Sequence, residues 1–355
     1  METSFKPIKM KYFHTFDALR FYAFFIVFIH HLPIPSESYF SIITHSGGIG
    51  VQIFFLLSGF LITYILYHEK LHHKDFSIKN FMMRRVLRIW PLYYAMVIFA
   101  FITPYILQLL SLNSSDEGYT PNWLYPLFFL ENYQMMITNS FANVSPLRVM
   151  WSLCIEEHFY IIWGLVFLLL PINRLLYFLI GSIIFSFSCR IIYQQIDLAD
   201  MDIFTNVHYF SFGGLLAYIL LFKTKWIENL ASIPINIKRG IGLFILILFL
   251  IIPSFGWNQV MVETLVICLL TISLLALTLP DNNPLKISNQ NIFNKLGKYT
   301  YGMYLFHTIW ISLIIKFTEQ TLLVAFLSLV CTILSSILSY HLFEKQFLKL
   351  KKYYR

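Results

Sequence analysis

The sequence is poor in charge, in cysteine and in internal repetition. Only 12% of its 355 residues are Asp, Glu, Lys or Arg, against about 25% in a typical soluble domain. Because water could not solvate a chain that is 58% apolar, this scarcity of charge excludes an ordinary soluble fold and makes the bilayer the solvent. The four cysteines form no Cys-x-x-Cys pair or His/Cys cluster, so neither disulfides nor a metal site are expected. The lack of a visible repeat argues against inverted-repeat transporters.

What the sequence does contain is a series of apolar runs long enough to cross a hydrocarbon core, which takes about 20 residues each. They predict an all-α integral membrane protein with about ten transmembrane helices. The predicted spans are 16–33, 47–67, 90–110, 153–171, 175–193, 206–222, 240–254, 260–279, 299–317 and 322–342. We expect one membrane domain over residues 1–355, with helices from about 16 to 342 and no separate soluble domain.

The distribution of Lys and Arg predicts that the N- and C-termini are both cytoplasmic. With the N-terminus inside and ten spans, all but three of the 26 basic residues fall on the cytoplasmic side or at its edge. The three exceptions are Arg148, Arg190 and Lys316. This topology accounts for the net charge of +8, so the charge gives no reason to expect a nucleic-acid partner.

The first span contains four ionisable residues, which are costly in hydrocarbon and therefore indicate function by default. An α-helix advances about 100° and 1.5 Å per residue, so Arg20 and His31 share one stripe and lie about 16 Å apart. Asp17 lies one turn from Arg20, and His30 is about 80° off the stripe. This arrangement predicts a path from a charged cytoplasmic mouth to an imidazole deeper in the membrane. The alternative is an ion pair at the helix end and two interfacial histidines.

A cluster of arginines precedes the third span. If this segment is helical, Arg84 and Arg88 lie one turn apart, and Arg85 and Arg88 nearly so. Guanidinium groups bind phosphate through two parallel hydrogen bonds, so the cluster is a candidate site for a cytoplasmic cofactor that bears a nucleotide. The alternative is an anchor that contacts anionic lipid.

The start of the fourth span carries polar residues at helical spacing. Ser152, Glu156 and Tyr160 recur every four residues and share one face, whereas Glu157 points about 100° away. Two adjacent carboxylates entering an apolar helix are difficult to explain by packing, and we predict that Glu156 faces the interior. The role of Glu157 stays open. The alternative places both carboxylates at the wet outer interface.

The ninth and second spans contribute weaker candidates. In the ninth span His307 lies mid-helix with Tyr304 close by, and we interpret both as lining a site, although a lone histidine is more often structural. The second span has small residues at 47, 48, 50, 58 and 59, which let helices approach closely. These residues either serve packing or shape a substrate path.

Together these segments resemble the acyltransferase-3 family of membrane O-acyltransferases over most of the chain. The matching motifs are Asp17-x-x-Arg20-x10-His31, the Gly-Gly-x-Gly-Val…Phe-Phe-x-Leu-Ser-Gly-Phe run at 47–60, Arg85-x-x-Arg88, Trp151-Ser152-Leu153-x-x-Glu156 and Tyr304-Leu305-x-His307. Each motif alone is weak, but five in family order are specific. The sequence departs from the family pattern at Gln52, His158, Thr300 and Gln346, which leaves the acceptor class open.

The resemblance implies transfer of an acyl group, usually acetyl from acetyl-CoA, to a cell-surface glycan, lipopolysaccharide or lipid-linked sugar. It implies a multi-pass protein of the bacterial inner membrane, here of the stand-alone type that has no SGNH hydrolase-like domain. It also implies that His31 is the essential histidine, that Arg20 is its paired arginine, and that Arg85 and Arg88 bind CoA. Glu156 matches the glutamate of the family's Trp-Ser-Leu motif.

The expected site residues form three groups. They are the catalytic residues His31, Glu156, Arg20 and Asp17, the donor-binding residues Arg84, Arg85, Arg88 and Arg20, and the substrate-lining residues Ser152, Tyr160, His307, Tyr304, Gln52 and His30. No metal is expected, and the oligomeric state stays open.

From these residues we form a hypothesis of the mechanism. His31 takes the proton of an acceptor hydroxyl as a general base, or is itself acylated first. Glu156 orients either His31 or the sugar. The expected partners are acyl-CoA, the sugar acceptor and membrane lipid. The alternative functions are a transporter or flippase of lipid-linked sugars, with the ionisable residues lining its path, and an inactive accessory protein.

Overall fold

The computed structural model describes residues 11–35, 37–38, 41–72, 76–112, 117–255, 260–280, 287–288 and 290–354. Over these residues the chain is helical, with no strand and with one isolated bridge between Tyr119 and Ala142. The prediction of an all-α fold is therefore confirmed.

Ten long helices coincide with the ten predicted spans. They are α1 (His14–His30), α2 (Gly47–His72), α3 (Ile78–Leu109), α4 (Trp151–Leu169), α5 (Ile172–Gln195), α6 (Ile203–Phe222), α7 (Ile235–Ile251), α8 (Val260–Thr278), α9 (Thr300–Ile314) and α10 (Thr321–Ser339). Short α-helices connect them at Ser41–Thr44, Leu124–Leu127, Glu131–Thr138, Thr224–Ser232, Ile292–Gly297 and Lys345–Lys349. The 3₁₀-helical turns are Leu147–Val149, Ile252–Phe255 and Leu350–Tyr354, and Tyr340–Glu344 is π-helical.

Fewer helices than the ten expected meet both the length and the hydropathy that a membrane crossing requires. Within the described ranges seven do so, namely α2, α3, α4, α5, α6, α8 and α10. An eighth is added if Thr224–Ser232 and α7, which meet at an angle of 101°, are one broken span. The helices α1, α7 and α9 have 17, 17 and 15 residues, so each is shorter than a full crossing of about 20 residues. The chain is a multi-pass membrane protein.

The third helix begins well before its apolar run. Ser77 caps it by accepting a hydrogen bond from the backbone nitrogen of Asn80 at 3.2 Å, and such a cap fixes the start of a helix. The first three turns therefore carry most of the helix's charge, including Arg84, Arg85 and Arg88 in helical geometry. Hydropathy alone missed these turns because it marks where a helix is apolar, not where it starts.

Close backbone contact joins α2 to α6. A Cβ added to Gly59 would lie 2.1 Å from the carbonyl oxygen of Phe210, and one added to Gly213 would lie 2.1 Å from that of Leu56. Gly50 has a similar role against α1, because its added Cβ would lie 2.5 Å from the oxygen of Ala23. The small residues of the second span therefore include true packing positions, which fix α2 between α1 and α6.

The segment between α3 and α4 folds into short helices that enclose a buried carboxyl group. One of them is Leu124–Leu127, whose neighbours Trp123 and Phe128 are exposed. The helix that follows begins at Glu131, which is fully buried and accepts a hydrogen bond from the Tyr119 hydroxyl at 2.5 Å.

Candidate active site

A cavity of about 650 Å³ lies between α1, α2, α3, α4, α9 and the segment after α10. Its volume is within the range of about 300–1,000 Å³ that is usual for small-molecule sites. The polar and charged side chains that line it are Lys11, Tyr12, Asp17, Arg20, Ser58, Tyr64, Arg85, Arg88, Ser152, Glu156, Tyr160, Lys298, Thr300, Tyr301, Tyr304, Tyr340 and Glu344. Most of the residues that the sequence singled out thus meet around one space.

At the α1 side of the cavity an ion pair holds the arginine of the first motif. Arg20 Nη1 donates to Asp17 Oδ1 at 2.7 Å, and the hydroxyl of Tyr12 donates to Asp17 Oδ2 at 2.5 Å. Asp17 is buried, whereas Arg20 is half-buried. The helix-end ion pair is present and the same two residues line the cavity, so the two alternative interpretations of these residues are compatible.

Glu156 faces the cavity, as predicted. Its Oε1 accepts a hydrogen bond from Ser58 at 3.0 Å, and its Oε2 accepts one from Tyr160 at 3.1 Å. Glu157 points elsewhere and accepts a hydrogen bond from Trp90 Nε1 at 3.2 Å. The two adjacent carboxyl groups therefore have different surroundings, and Glu156 contacts the cavity rather than His31.

Of the three arginines at the start of α3, two line the cavity and one does not. Arg85 and Arg88 line the cavity, and the buried Nε of Arg85 has no hydrogen-bond partner in the described structure. The Arg85 guanidinium lies 6.0 Å from the centre of the Tyr160 ring, which is within reach of a cation–π contact. Arg84 does not line the cavity, and instead pairs with Glu69 at 2.5 Å and donates to the carbonyl oxygen of Tyr354 at 2.8 Å.

The histidine at the end of α1 has an unexpected partner. His307 Nε2 lies 3.4 Å from His31 Nδ1, and the two rings are nearly perpendicular with centroids 4.9 Å apart. His31 Nδ1 lies 2.9 Å from the carbonyl oxygen of Val27, and His307 Nδ1 lies 2.7 Å from that of Tyr304. Because each Nδ1 faces a carbonyl oxygen, each must carry the proton. His31 Nε2, which has no partner among the described residues, is left with a free lone pair.

The histidine pair lies next to the cavity but outside its wall. Tyr304 connects the two regions, because it lines the cavity and its ring centroid lies 5.7 Å from that of His307. The Tyr304 hydroxyl is held by Ser152 Oγ at 2.7 Å and by the carbonyl oxygen of Val149 at 3.1 Å. A ligand in the cavity would therefore meet Tyr304 before it reached His31.

Three of the expected substrate-lining residues do not reach the cavity, namely His307, described above, His30 and Gln52. His30 is exposed and lies with Nδ1 2.5 Å from the carbonyl oxygen of Thr44. Gln52 lies outside the lining and its buried Oε1 has no partner in the described structure. The helical period already suggested that His30 turns away from the stripe of Arg20.

One residue near the histidines was missed as a site candidate. Arg148, in the turn Leu147–Val149, lies within electrostatic range of His31. The sequence marked Arg148 only as one of the three basic residues that fall outside the cytoplasmic side of the predicted topology. Sequence spacing could not show that a loop before α4 returns to the end of α1.

Comparisons with known proteins point to one family. The family model described as an acyltransferase domain, the acyltransferase-3 model, matches residues 13–341. The peptidoglycan O-acetyltransferase OatA of Listeria monocytogenes is 29% identical over 357 residues, which cover 94% of this chain and 55% of that protein. The putative peptidoglycan O-acetyltransferase YrhL of Bacillus subtilis is 34% identical over 158 residues, which cover 43% of this chain and 23% of that protein.

A putative O-acetyltransferase of Staphylococcus aureus is 26% identical over 371 residues, which cover 96% of this chain and 58% of that protein. The chain therefore spans little more than half of the length of the two relatives that it matches throughout. No solved structure matches the chain.

Proposed function

Since the chain belongs to the acyltransferase-3 family, we propose that it is a membrane O-acetyltransferase that moves an acetyl group from cytoplasmic acetyl-CoA to a hydroxyl of a cell-surface glycan. The cavity supports this proposal because cationic side chains at its mouth suit the phosphates of CoA. The free Nε2 of His31, beyond Tyr304, suits a general base.

The observation that carries the proposal is the contact geometry of the histidine pair, from which we infer its protonation. His31 Nδ1 faces the carbonyl oxygen of Val27 at 2.9 Å, so Nε2 is the nitrogen that can accept a proton. His307 contacts the same Nδ1 at 3.4 Å and helps to fix the ring. General acid–base catalysis needs such a neutral imidazole with one free, oriented lone pair.

In the proposed reaction the acceptor oxygen attacks the thioester carbonyl carbon while its proton moves to His31 Nε2. The carbon–oxygen bond forms, and the carbonyl oxygen becomes an oxyanion. Collapse of this intermediate breaks the carbon–sulfur bond, and the leaving CoA thiolate takes the proton from His31. The products are the acetylated sugar and CoA, and no charge or atom is left over.

The remaining polar residues of the cavity hold the donor. Arg85 and Arg88 bind its phosphates, since both residues line the cavity. Glu156 is held by Ser58 and Tyr160, and we assign it to orienting the amide-containing arm of the donor, not to orienting His31. Asp17 fixes Arg20 through the 2.7 Å ion pair, which keeps the Arg20 guanidinium at the cavity wall.

The proposal includes a topology. Ten spans with both termini in the cytoplasm of a bacterial inner membrane place Arg85 and Arg88 inside and His31 towards the outside. The three short helices α1, α7 and α9 are then held in the bilayer by their neighbours. One membrane domain spans the chain, and the acceptor is a glycan of the cell wall, by likeness to the relatives named for peptidoglycan.

The test uses purified protein in lipid nanodiscs, radiolabelled acetyl-CoA and soluble glycan fragments. His31→Ala removes the base, so kcat falls by roughly 10²–10⁴-fold, which is the usual contribution of general acid–base catalysis. The control is His45→Ala, because His45 is exposed in the turn before α2 and we expect wild-type turnover. Wild-type turnover by a well-folded His31→Ala protein would contradict the role of His31.

The same assay separates an enzyme from a flippase of lipid-linked sugars. An acetyltransferase consumes acetyl-CoA and labels the acceptor in nanodiscs, where there is no second compartment to transport into. If sealed vesicles translocate a fluorescent lipid-linked sugar while acetyl-CoA is never consumed, the enzymatic proposal is wrong.

A further inference from the structure

Two hydroxyl groups, one from α4 and one from α9, meet on the side of the cavity that adjoins the histidine pair. Ser152 Oγ and the Tyr304 hydroxyl oxygen lie 2.7 Å apart, and both residues are buried and line the cavity. The Tyr304 ring centroid lies 5.7 Å from that of His307, which contacts His31. These two groups, which we call the hydroxyl pair, therefore connect the cavity wall to the surroundings of the proposed base.

The hydroxyl pair shares its two protons among three oxygen atoms. The carbonyl oxygen of Val149 lies 3.1 Å from the Tyr304 hydroxyl and 3.2 Å from Ser152 Oγ. Each hydroxyl has one proton to donate. One proton lies in the short contact between the two hydroxyls, and the other points to the carbonyl oxygen over a distance greater than the usual value of about 2.7–2.8 Å. The proton in the longer contact is the one that a stronger acceptor in the cavity would attract.

The face of α4 that lines the cavity sets the distance from the hydroxyl pair to the arginines. Ser152, Glu156 and Tyr160 line the cavity at helical spacing, so Ser152 and Tyr160 lie about 12 Å apart along the axis. The Arg85 guanidinium lies 6.0 Å from the Tyr160 ring centre. The pantetheine arm of CoA has about as many chain bonds as four extended residues, which reach roughly 13–14 Å. An arm whose phosphates lie at Arg85 therefore brings its thioester to the hydroxyl pair.

A thioester at this place needs a hydrogen-bond donor for its carbonyl oxygen. That oxygen gains negative charge as the acceptor hydroxyl attacks, and a fixed donor aimed at it lowers the barrier. A hydrogen bond to such a charge is stronger in a buried site than in water. The hydroxyl pair is uncharged, so it can occupy the buried wall at a lower desolvation cost than a cation.

Resting on the proposed function, we propose that Tyr304 is a catalytic residue whose hydroxyl donates a hydrogen bond to the carbonyl oxygen of the donor thioester. As the new carbon–oxygen bond forms, this hydrogen bond strengthens onto the oxyanion, and the proton stays on Tyr304. Ser152 Oγ then donates to the Tyr304 oxygen over the 2.7 Å contact. Because successive hydrogen bonds polarise one another, Ser152 acts as a positioning residue that improves Tyr304 as a donor.

The first measurement is the turnover of acetyl-CoA with soluble glycan fragments by the full-length protein in nanodiscs. Tyr304→Phe keeps the ring next to His307 and removes the hydroxyl, so we expect kcat to fall by about 10²–10³-fold, the usual effect of losing one oxyanion donor. KM for acetyl-CoA should stay nearly unchanged, because the lost interaction is made mainly in the transition state. Ser152→Ala leaves the Tyr304 hydroxyl in place, and we expect a smaller fall of roughly tenfold.

The matched control is Tyr93→Phe in α3. Tyr93 is also a buried tyrosine whose hydroxyl donates to a backbone carbonyl oxygen, that of Pro126 at 2.9 Å, but it does not line the cavity. This variant loses a comparable hydrogen bond at a place away from the donor, so we expect wild-type turnover.

The second measurement detects the hydrogen bond itself and separates it from a merely structural role of Tyr304. It is the infrared band of an isotope-labelled thioester carbonyl in bound acetyl-CoA, recorded without acceptor so that no turnover occurs. A hydrogen bond lowers the stretching frequency of a carbonyl group. We therefore expect the band at a lower frequency in the wild type and in Tyr93→Phe than in Tyr304→Phe. A substitution that only loosened the packing would reduce kcat without this specific difference.

Two outcomes overturn the role of Tyr304: wild-type kcat in a folded Tyr304→Phe protein, and the same carbonyl frequency in that protein and the wild type. Should Tyr304→Phe fail to fold, Tyr304→fluorotyrosine decides, because it keeps the shape of the side chain and makes the hydroxyl a stronger donor. Its carbonyl band should lie below that of the wild type, and an unshifted band contradicts the contact.

The result is distinguishable from a failure of the proposed function. A wild-type protein that neither binds nor consumes acetyl-CoA contradicts the acetyltransferase proposal itself. A wild-type protein that turns over acetyl-CoA, with the same kcat in Tyr304→Phe, contradicts the role of Tyr304 alone.

Discussion

At the scale of single residues, the role proposed for His31 depends on its neighbours more than on its position at the end of α1. The ring is held by the carbonyl oxygen of Val27 and by His307, 276 residues farther along the chain. Such second partners orient a catalytic histidine and select its tautomer. We therefore propose that His307 positions the His31 ring, a role that an apolar residue could not fill.

This role predicts a graded effect of substitutions at His307. His307→Phe keeps a ring in the buried site but removes the contact to His31 Nδ1, so we expect kcat to fall about tenfold, the equivalent of one hydrogen bond. His307→Gln retains an acceptor and should recover part of the loss. KM for acetyl-CoA is the internal control, since His307 lies outside the cavity wall. A phenylalanine variant with normal kcat would show that His307 only packs.

At the scale of elements, the sequence predicted the long helices well. Each of the ten apolar runs contains one helix, because a backbone in hydrocarbon must satisfy its own hydrogen bonds. Helix starts and short helices were harder to predict from the sequence. In Ile78–Leu109 a serine cap precedes the apolar run, and at Tyr340–Glu344 a π-helical turn follows the last apolar run. These features depend on local caps and on tertiary contacts, which hydropathy does not report.

The crossing of α2 and α6 is the element-scale feature that fixes the site. Gly213→Ala places a Cβ against the carbonyl oxygen of Leu56, which is backbone and cannot turn away. We expect destabilisation by about 1–3 kcal/mol, as for other overpacked positions. We also expect lower turnover, because the shift moves Ser58, which holds Glu156 at 3.0 Å.

The matched control for this crossing is Gly181→Ala in α5, whose added Cβ would meet no atom within 4 Å. Alanine favours helix over glycine by up to about 1 kcal/mol, so the control should be as stable as the wild type or slightly more so. Thermal unfolding followed by circular dichroism in detergent measures both variants. Equal midpoints for the two substitutions would show that the α2–α6 contact is looser than the structure indicates.

At the scale of the whole molecule, the sequence predicted which residues meet but not all of their partners. Periodicity correctly placed Glu156 towards the interior with Ser152 and Tyr160. It could not reveal the contact of His307 with His31, the return of Arg148 towards α1, or the diversion of Arg84 to Glu69. Each of these contacts joins different helices or loops, so only the tertiary fold determines them.

A whole-molecule consequence of the fold is a dependence of stability on pH through Glu131, in the segment between α3 and α4. Burial raises the pKa of Glu131 from its ordinary value of 4.5 to about 7, and the hydrogen bond from Tyr119 opposes that rise in part. The folded state therefore binds the proton more tightly than the unfolded state. Its stabilising contribution is complete below about pH 4.5 and is lost as the pH rises through 7.

We therefore expect the free energy of unfolding to fall between about pH 4.5 and 7, by roughly 2–3 kcal/mol for this one group. Glu131→Gln cannot ionise, so the variant should lose this slope and be more stable than the wild type at pH 8. Glu117→Gln is the control, because Glu117 lies in the same segment but is exposed, and its slope should match the wild type. Chemical unfolding at several pH values measures all three proteins, and an unchanged slope in Glu131→Gln would mean that the carboxyl group is solvated in the folded protein.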